Sequence, residues 1–326
     1  MSARLTLRKW AAALSVYAVP FLLCAVLLPM LGSRVGESAE ARAFIFDSLR
    51  VPRVWLGLLA GGALAVTGAA FQVILRNPLA EPYTLGATGG AAVGAALAIS
   101  VPGIGVSIGW IGTTQLFALI GSGLALGVIY RLARRPHGIS MNVLLLAGVT
   151  IGILCGGAVM FIQYLAAPYD MARMTLWLMG SLKVVGYEEI GTVVLFLVPG
   201  LVLLLSQMAA LNHLSLGDEM AAGHGVEVGR VQRVAFVAGG LMTAGVVSVA
   251  GPIGFVGLIV PHAVRRLSGY DQRIVLPASF LLGGSFLAVC DTLPRLIPWA
   301  NEMPVGVVTA LIGGPLFIRI LLGPRR

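Results

Sequence analysis

Ten apolar stretches divide the chain, and they constrain its fold more than any other feature. They run over residues 10–31, 50–72, 83–101, 112–134, 141–165, 188–210, 231–251, 253–268, 274–294 and 305–322. A helix that crosses a bilayer needs about 20 predominantly apolar residues. Only 11% of the residues are charged and 58% are hydrophobic, which is too little charge to cover a soluble surface. The pattern predicts an all-α polytopic membrane protein with about ten transmembrane helices, forming a single domain over residues 1–326.

The basic residues lie in short clusters between the apolar stretches, and their distribution predicts an orientation. Cytoplasmic loops of membrane proteins carry an excess of Lys and Arg. If both termini are cytoplasmic, most of the 22 basic residues fall inside, and the outer set is Arg34, Arg42, Arg50, Arg53, Arg173, Lys183 and Arg295. We therefore expect an even number of spans and two cytoplasmic termini. The net charge of +9 then reflects membrane topology rather than nucleic-acid binding.

The segment 76–82 after the second stretch contains two prolines, Pro78 and Pro82. Neither proline can continue a helix, and each restricts the residue before it. Irregular backbone at membrane depth is tolerated only against protein or a water-filled cavity. The segment is therefore either a tight turn between helices or part of a pathway, and its residues alone leave both interpretations open.

The segment 211–230 is the longest polar stretch on the predicted cytoplasmic side. Asp218 and Glu219 suit the first turn of a short helix, and Gly223 and Gly225 suit its end. Connections between bundled helices are usually only a few residues long. A structured insert of this length indicates either a docking surface for a partner or a solvated connection.

Glycines recur at helical spacing in two of the apolar stretches. Gly86, Gly90 and Gly94 share one face of the third stretch, and Gly57 and Gly61 share one face of the second. Small residues four apart allow two helices to approach closely within a membrane. We interpret these glycines as packing positions rather than as ligand contacts.

The segment 251–266 combines glycines and prolines with a short apolar run that ends in two arginines. It predicts a short helix that enters the membrane only in part. His262 within it has no intramembrane acid nearby in the sequence. We therefore interpret His262 as structural or interfacial rather than as a proton carrier.

Several signatures of catalysis and nucleotide binding are absent from the sequence. It has no GxxxxGK[ST] loop, and its lysines are Lys9 and Lys183, so it cannot bind ATP in the P-loop manner. It has no HExxH or GxSxG motif. Cys24, Cys155 and Cys290 are widely separated and predict neither a disulfide nor a metal site. The span centres contain almost no ionisable residues, which disfavours an ion-coupled carrier.

The order of motifs along residues 45–322 resembles that of the FecCD family. The matching segments are RVPR (50–53), GALAVTGAAFQ (62–72), RNPLAEPYTLG (76–86), LLLAG (144–148), WLMGSL (177–182), LGDEMAAGHGV (216–226), GPIGFVGLIVPHAVRRL (251–267) and DTLPR through MPVGVVTALIGGPLF (291–317). The family consists of permease subunits of ABC importers for iron-siderophores, haem and cobalamin. The resemblance implies the ten-helix architecture of a type II ABC importer permease in the bacterial inner membrane.

The resemblance also implies what the chain works with. It implies import of a metal chelate from periplasm to cytoplasm, with no chemistry catalysed by this chain. The implied partners are a second permease subunit, expected to be identical, two cytoplasmic ATPase subunits and a periplasmic substrate-binding protein, with no nucleic acid. ATP and Mg would be bound by the ATPase, so no cofactor is expected here. A self-sufficient secondary carrier or channel is the alternative, and it predicts transport without an ATPase.

Four groups of residues match functional positions of the family. The arginines that face acidic residues on the binding protein correspond to Arg50, Arg53 and Arg295. The inner gate between helices two and three corresponds to Asn77 and Leu79. The second gate before helix five corresponds to Ser140, Met141 and Asn142, where the last two replace small hydroxyl residues of a cobalamin permease. The coupling segment that sits in a cleft of the ATPase corresponds to Leu216, Gly217, Asp218, Glu219, Ala222, Gly223 and Gly225.

Overall fold

The computed structural model describes residues 7–32, 38–101, 103, 105–135, 138–297 and 303–322, and the fold within them is helical. The helices are α1 Leu7–Leu27, α2 Ala39–Phe44, α3 Val51–Ile74, α4 Ala87–Ser100, α5 Thr113–Ala133, α6 Met141–Leu165, α7 Pro168–Leu178, α8 Glu188–Ser206, α9 Met208–Leu214, α10 Asp218–Gly223, α11 Val228–Ala250, α12 Val256–Ser268, α13 Gln272–Arg295 and α14 Val305–Leu322. A hairpin of β1 Arg134–Arg135 and β2 Gly138–Ile139 precedes α6. Arg34, one of the predicted outer cations, lies outside the described residues.

Each of the ten predicted apolar stretches forms one of the main helices. Among the described residues, seven helical segments are long and apolar enough to cross a membrane, namely Trp10–Met30, Ala39–Ile74, α5, α6, α8, α11 and α13. Shorter apolar helices form over Ala87–Ser100 and Val305–Arg319. The helix predicted to enter the membrane in part is α12, which has only 13 residues. The all-α, polytopic architecture predicted from the sequence is confirmed.

Helix α3 is the buried axis of the fold, because nearly all of its residues from Leu56 onward are buried. It packs against α13, α12 and α11. A Cβ atom added at Gly61 would lie 2.3 Å from the carbonyl oxygen of Gly283 in α13, and one at Gly68 would lie 2.0 Å from that of Gly257. Such close backbone approach is possible only with glycine, so the predicted packing role of Gly61 is confirmed.

Helices α4 and α5 pack in the same way. A Cβ atom at Gly90 would lie 2.3 Å from the carbonyl oxygen of Gly121, and one at Gly94 would lie 2.0 Å from that of Phe117. The packing role predicted for these two glycines is confirmed. Gly86 differs, because it precedes α4 and has a φ of +74°, the left-handed conformation that favours glycine.

Candidate functional site

The N-terminal end of α3 meets the C-terminal end of α13 in a cluster of charged side chains. The guanidinium of Arg53 donates two hydrogen bonds to the carboxylate of Asp291, both at 2.7 Å. Arg295 donates to the same carboxylate at 3.0 Å and to the hydroxyl of Thr292 at 2.8 Å. The side chain of Asp291 is only 2% exposed, and those of Arg53 and Arg295 are 16% and 12% exposed. We call Arg53, Asp291 and Arg295 the outer ion cluster.

The outer ion cluster brings together two of the three arginines that the resemblance places at a docking surface. Arg50 lies one helical turn before Arg53, in the π-helical turn Ile45–Arg50 that leads into α3. Asp291 was not identified from the sequence as the shared partner of the arginines. The sequence signal for this contact is that Asp291 precedes Arg295 by four residues on one helix, a spacing that brings two side chains together. The cluster keeps a net positive charge, because two arginines share one carboxylate.

At the opposite end of α3, the chain turns irregularly through residues 75–82, which we call the inner turn. Arg76 has a φ of +47°, a left-handed conformation that is uncommon outside glycine. The Asn77 side chain accepts a hydrogen bond from the backbone N–H of Leu79 at 2.9 Å. This local bond fixes an Asx-type turn. As a result, the Leu79 side chain projects outward and is 47% exposed.

Glu81 ties the inner turn to the start of α12. Its carboxylate accepts a hydrogen bond from the backbone N–H of Phe255 at 3.1 Å. Phe255 has a φ of +69°, so the backbone at the entry to α12 is held in a strained conformation. Burial raises the pKa of Glu81 to about 7, and the hydrogen bond from Phe255 opposes this shift.

The polar segment after α9 forms the predicted short helix, α10, which begins at Asp218 and ends at Gly223. Gly225 has a φ of +78°, and its N–H bonds back to the carbonyl of Ala222 at 2.9 Å. The prediction of a structured insert is therefore confirmed. Ala221 is fully buried, whereas Leu216 and Met220 are 62% and 54% exposed. An exposed apolar pair beside acidic residues is a surface suited to contact another protein.

Helix α10 and the inner turn are joined by an ion pair. The Arg76 guanidinium lies 2.5 Å from the Asp218 carboxylate, and both side chains are 50% exposed. The first residue of α10 is therefore in direct contact with the first residue of the motif at residues 76–82. Both segments were identified from the sequence, but their contact was not. The two residues are far apart along the chain, and no sequence pattern links them.

Ser140, Met141 and Asn142 lie where the β-hairpin leads into α6. The backbone N–H of Ser140 bonds to the carbonyl of Ala133 at 2.8 Å, which sets the hairpin against the end of α5. Met141 begins α6, and Asn142 is exposed.

Helix α6 approaches the chain beyond the inner turn at two glycines. A Cβ atom at Gly86 would lie 3.2 Å from the carbonyl oxygen of Gly148. The two predicted gate regions thus lead into elements that are in contact with each other.

A cavity of about 550 Å³ lies between α4 and α6. Gly148, Gly152 and Gly156 of α6 form one wall, and Gly89 and Ala92 of α4 contribute to the other. The first three recur every four residues and therefore share one helix face. Its volume falls within the range of about 300–1,000 Å³ that is usual for ligand pockets. The wall formed by this glycine stripe provides space without placing a charge in the cavity.

A buried polar brace supports the inner end of α3. The guanidinium of Arg265 in α12 bonds to the side-chain oxygen of Gln72 and, at 3.2 Å, to the carbonyl of Ala69. Gln72 in turn donates to the carbonyl of Gly257 at 3.1 Å. Arg265 therefore faces α3 rather than only the cytoplasmic boundary, where the positive-inside pattern placed it. The brace holds α12 against α3 just before the inner turn begins.

The described residues contain no group of His, Cys, Asp and Glu side chains that could hold a metal ion. The three cysteines are free thiols, as the sequence predicted. The charged clusters described above lie at the two ends of α3, and the cavity lies between α4 and α6.

Comparison with known proteins agrees with this layout. The profile of the FecCD transport family matches residues 10–323. The chain is 39% identical over 287 residues to the cobalamin import system permease protein BtuC of Halobacterium salinarum, covering 88% of this chain and 75% of that protein. It is 37% identical over 286 residues to the hemin transport system permease protein HmuU of Yersinia pestis, covering 88% and 85%.

The fold is also similar to a solved structure described as an inward-facing conformation of a metal-chelate type ABC transporter. The TM-score is 0.85 at 28% sequence identity, covering 97% of this chain and 100% of that one. Permeases of this kind carry no cofactor, because ATP is bound by a separate subunit. The chain therefore belongs to the FecCD transport family, and it is the membrane-spanning permease subunit of an ABC importer.

Proposed function

We propose that this permease imports a bulky metal chelate, such as cobalamin, haem or an iron-siderophore, from the periplasm to the cytoplasm. The named relatives support this class of cargo, because one imports cobalamin and another transports hemin. The cavity between α4 and α6 supports it as well, since its glycine wall accommodates bulk without specific polar contacts. Selection among chelates then falls to the partner that delivers the cargo.

The ion pair between Arg76 and Asp218 supports the proposed coupling between the ATPase and the cytoplasmic gate. In this account, the ATPase docks on the segment formed by Leu216, Gly217, Asp218, Glu219, Ala222, Gly223 and Gly225. A movement of α10 is then transmitted through Arg76 to the inner turn. Asn77 and Leu79 act there as one cytoplasmic gate, and the exposure of Leu79 places an apolar group where the turn faces outward.

Ser140, Met141 and Asn142 form the second gate in this account. They precede the part of α6 that contacts Gly86, directly after the inner turn. A shift of the inner turn is therefore transmitted directly to α6. The contact through two glycines brings the backbone of this segment close to that of α6.

The binding protein docks at the opposite end of α3, on Arg50, Arg53 and Arg295. A helix of 24 residues is about 36 Å long, so the two docking surfaces lie at opposite faces of a bilayer. The net positive charge of the outer ion cluster suits acidic groups on a partner, because Arg pairs well with carboxylates. In the proposed orientation both chain termini lie in the cytoplasm, which is supported by the distribution of the basic residues.

A second permease subunit, identical to this one, covers the outward face of α6. Only 17% of the spanning window of α6 is buried, far less than the 89% of the segment that contains α3. Leu146, Ile153, Met160 and Tyr164 on α6 are 70–86% exposed. The cavity opens beside this face, so pairing of two subunits there would enclose one common pathway.

Reconstituted transport tests the proposed function. The permease, its ATPase and the binding protein would be placed in liposomes, with labelled cobalamin or haem outside the periplasmic face. We expect uptake that requires ATP hydrolysis and the binding protein. Uptake by the permease alone would instead support the secondary carrier.

Cross-linking tests the proposed dimer. Ile153→Cys is introduced in a background without the three native cysteines, and failure to form a cross-linked pair of chains would contradict the dimer.

A further inference from the structure

An apolar groove of about 340 Å³ lies between α5, α8 and α11, away from the cavity just described. Its lining includes Gly123, Gly127 and Tyr130 of α5, Phe196 of α8, and Val237 of α11. A Cβ atom added at Gly123 or Gly127 would meet nothing within 4 Å. These glycines therefore leave an open channel along the helix surface, unlike the glycines that mediate helix packing.

The groove lies at membrane depth. The helices that line it, α5, α8 and α11, are each long and apolar enough to cross a bilayer. Only 28% of the spanning window is buried for α5, and the same fraction for α8. Surfaces of this kind are in contact with lipid. The stacking of Tyr130 on Phe236, with ring centroids 6.0 Å apart, stiffens one wall of the groove.

Arginines flank one end of the groove. Arg233 precedes Val237 by four residues on α11, and Arg134 follows Tyr130 by four residues at the end of α5. Residues four apart lie on one helix face, so Arg233 continues the lined face of α11 beyond the groove. Arg134 is the first residue after α5 and begins β1. The exposed Arg131 and Arg230 lie at the same end of these helices.

The hairpin fixes this arrangement. Arg134 pairs with Ile139 across the hairpin, and the backbone N–H of Ile139 bonds to the side chain of Gln232 at 3.4 Å. Gln232, which directly precedes Arg233, therefore bonds to β2, and β2 pairs with Arg134 of β1. Glu227 lies 3.6 Å from Arg233, but its side chain is 68% exposed, so this pair is weak and replaceable.

We propose that an anionic phospholipid occupies this site, with an acyl chain in the groove and its phosphate between Arg134 and Arg233. The occupant must combine a long apolar chain with an anionic group at the level of the helix ends. Basic pockets between membrane helices bind the head groups of anionic lipids. The site lies in the cytoplasmic leaflet, an assignment that rests on the proposed topology, whereas lipid binding itself does not.

Photolabelling of the full chain in membranes tests this site. The probe is phosphatidylglycerol with a diazirine on its acyl chain, compared with the matching phosphatidylcholine. Peptides that contain residues 119–130 and 236–244 are quantified. One variant is Arg134→Gln with Arg233→Gln, which removes two positive charges at the end of the groove. The other is Gly127→Leu, which fills the groove. Arg266→Gln is the matched control, because Arg266 is exposed on α12, which packs against α3, α13 and α14.

We expect the phosphatidylglycerol probe to label the groove peptides, and the double arginine variant to reduce this labelling about tenfold. Gly127→Leu should reduce it similarly, although the variant retains its helix because Leu favours helices more than Gly. Arg266→Gln should have no effect. Equal labelling by the two lipids, or labelling unaffected by the arginine changes, would overturn the proposal. So would a disulfide-linked pair of chains formed through Gly123→Cys, because the groove would then be covered by a second copy.

Discussion

The carboxylate of Asp218, the first residue of α10, lies 2.5 Å from the guanidinium of Arg76 in the inner turn. The contact joins two segments that are separated in the sequence by helices α4 to α9. One segment presents an exposed acidic and apolar surface, and the other leads into the cavity wall through Gly86. In the proposed function, a partner that moves α10 would act on the inner turn through this pair of side chains.

Breaking this ion pair should uncouple the importer without unfolding it. Asp218→Arg places two like charges together, and we expect transport to fall by about tenfold while the protein loses less than about 1 kcal/mol of stability, because the pair is exposed. The double variant Arg76→Asp with Asp218→Arg restores the attraction. Transport in liposomes measures both. A double variant as inactive as the single one would show that the contact is not the link.

The outer ion cluster should be important for stability. Asp291→Asn leaves two largely buried arginines with a neutral partner, and we expect a loss of about 3 kcal/mol. Asp47→Asn is the matched control, because Asp47 is an exposed carboxylate on the same side. Thermal unfolding in detergent measures the difference. Equal unfolding temperatures for the two variants would show that the cluster contributes little.

Docking of the binding protein is best tested at Arg50, because reversal of Arg53 or Arg295 would also disrupt the bonds to Asp291. We expect Arg50→Glu to weaken binding of the substrate-binding protein about tenfold at low salt, and less at high salt. Arg42→Glu supplies an exposed outer control of the same charge change. Affinity measured by surface plasmon resonance at two salt concentrations provides the test. Unchanged affinity at low salt would remove Arg50 from the docking surface.

Glu81 should make stability depend on pH. Its pKa is raised from 4.5 to about 7, so the folded chain retains a proton that the unfolded chain loses as the pH rises between these values. Stability therefore falls from about pH 4.5 to about pH 7 and stays level above that range. Glu81→Gln keeps the acceptor for Phe255 and removes the titration. We expect it to match the natural chain at pH 4.5 and to unfold at a higher temperature at pH 8, whereas the exposed Glu219→Gln should follow the natural chain.

Close packing of α3 on α12 predicts a strong effect at Gly68. Gly68→Ala introduces a Cβ 2.0 Å from the carbonyl oxygen of Gly257, and we expect a loss of about 1–3 kcal/mol. Gly123→Ala meets open space and should be neutral or slightly stabilising. Unfolding temperature and yield of folded protein compare the two. Similar behaviour of both variants would contradict the packing account.

Much of this structure was predictable because lipid imposes a simple rule on sequence. Long apolar runs form helices within a bilayer, and each of the ten stretches forms a helix. Seven helical segments among the described residues are long and apolar enough to cross a membrane. The glycines at 61, 90 and 94 also revealed their role, since spacing of four residues on an apolar helix has few other uses. The acidic start and glycine end of α10 followed from helix capping.

The contacts that connect these elements were not predictable in the same way. Arg53 with Asp291, and Arg76 with Asp218, join residues that are distant in sequence, and hydrophobic periodicity carries no information about such pairs. Arg265 followed the positive-inside pattern yet turned toward Gln72, because a buried amide needs a partner. The resemblance to a family identified regions at these positions, but only the fold shows which side chains meet.

In the proposed function, a separate ATPase drives this permease through α10. The most direct test is to co-express the tagged chain with its ATPase and to measure the mass of the complex in detergent. The account predicts a complex of two permeases and two ATPases that dissociates in the variant Asp218→Lys with Glu219→Lys. A chain that purifies free of any ATPase and still transports its cargo alone in liposomes would contradict the account.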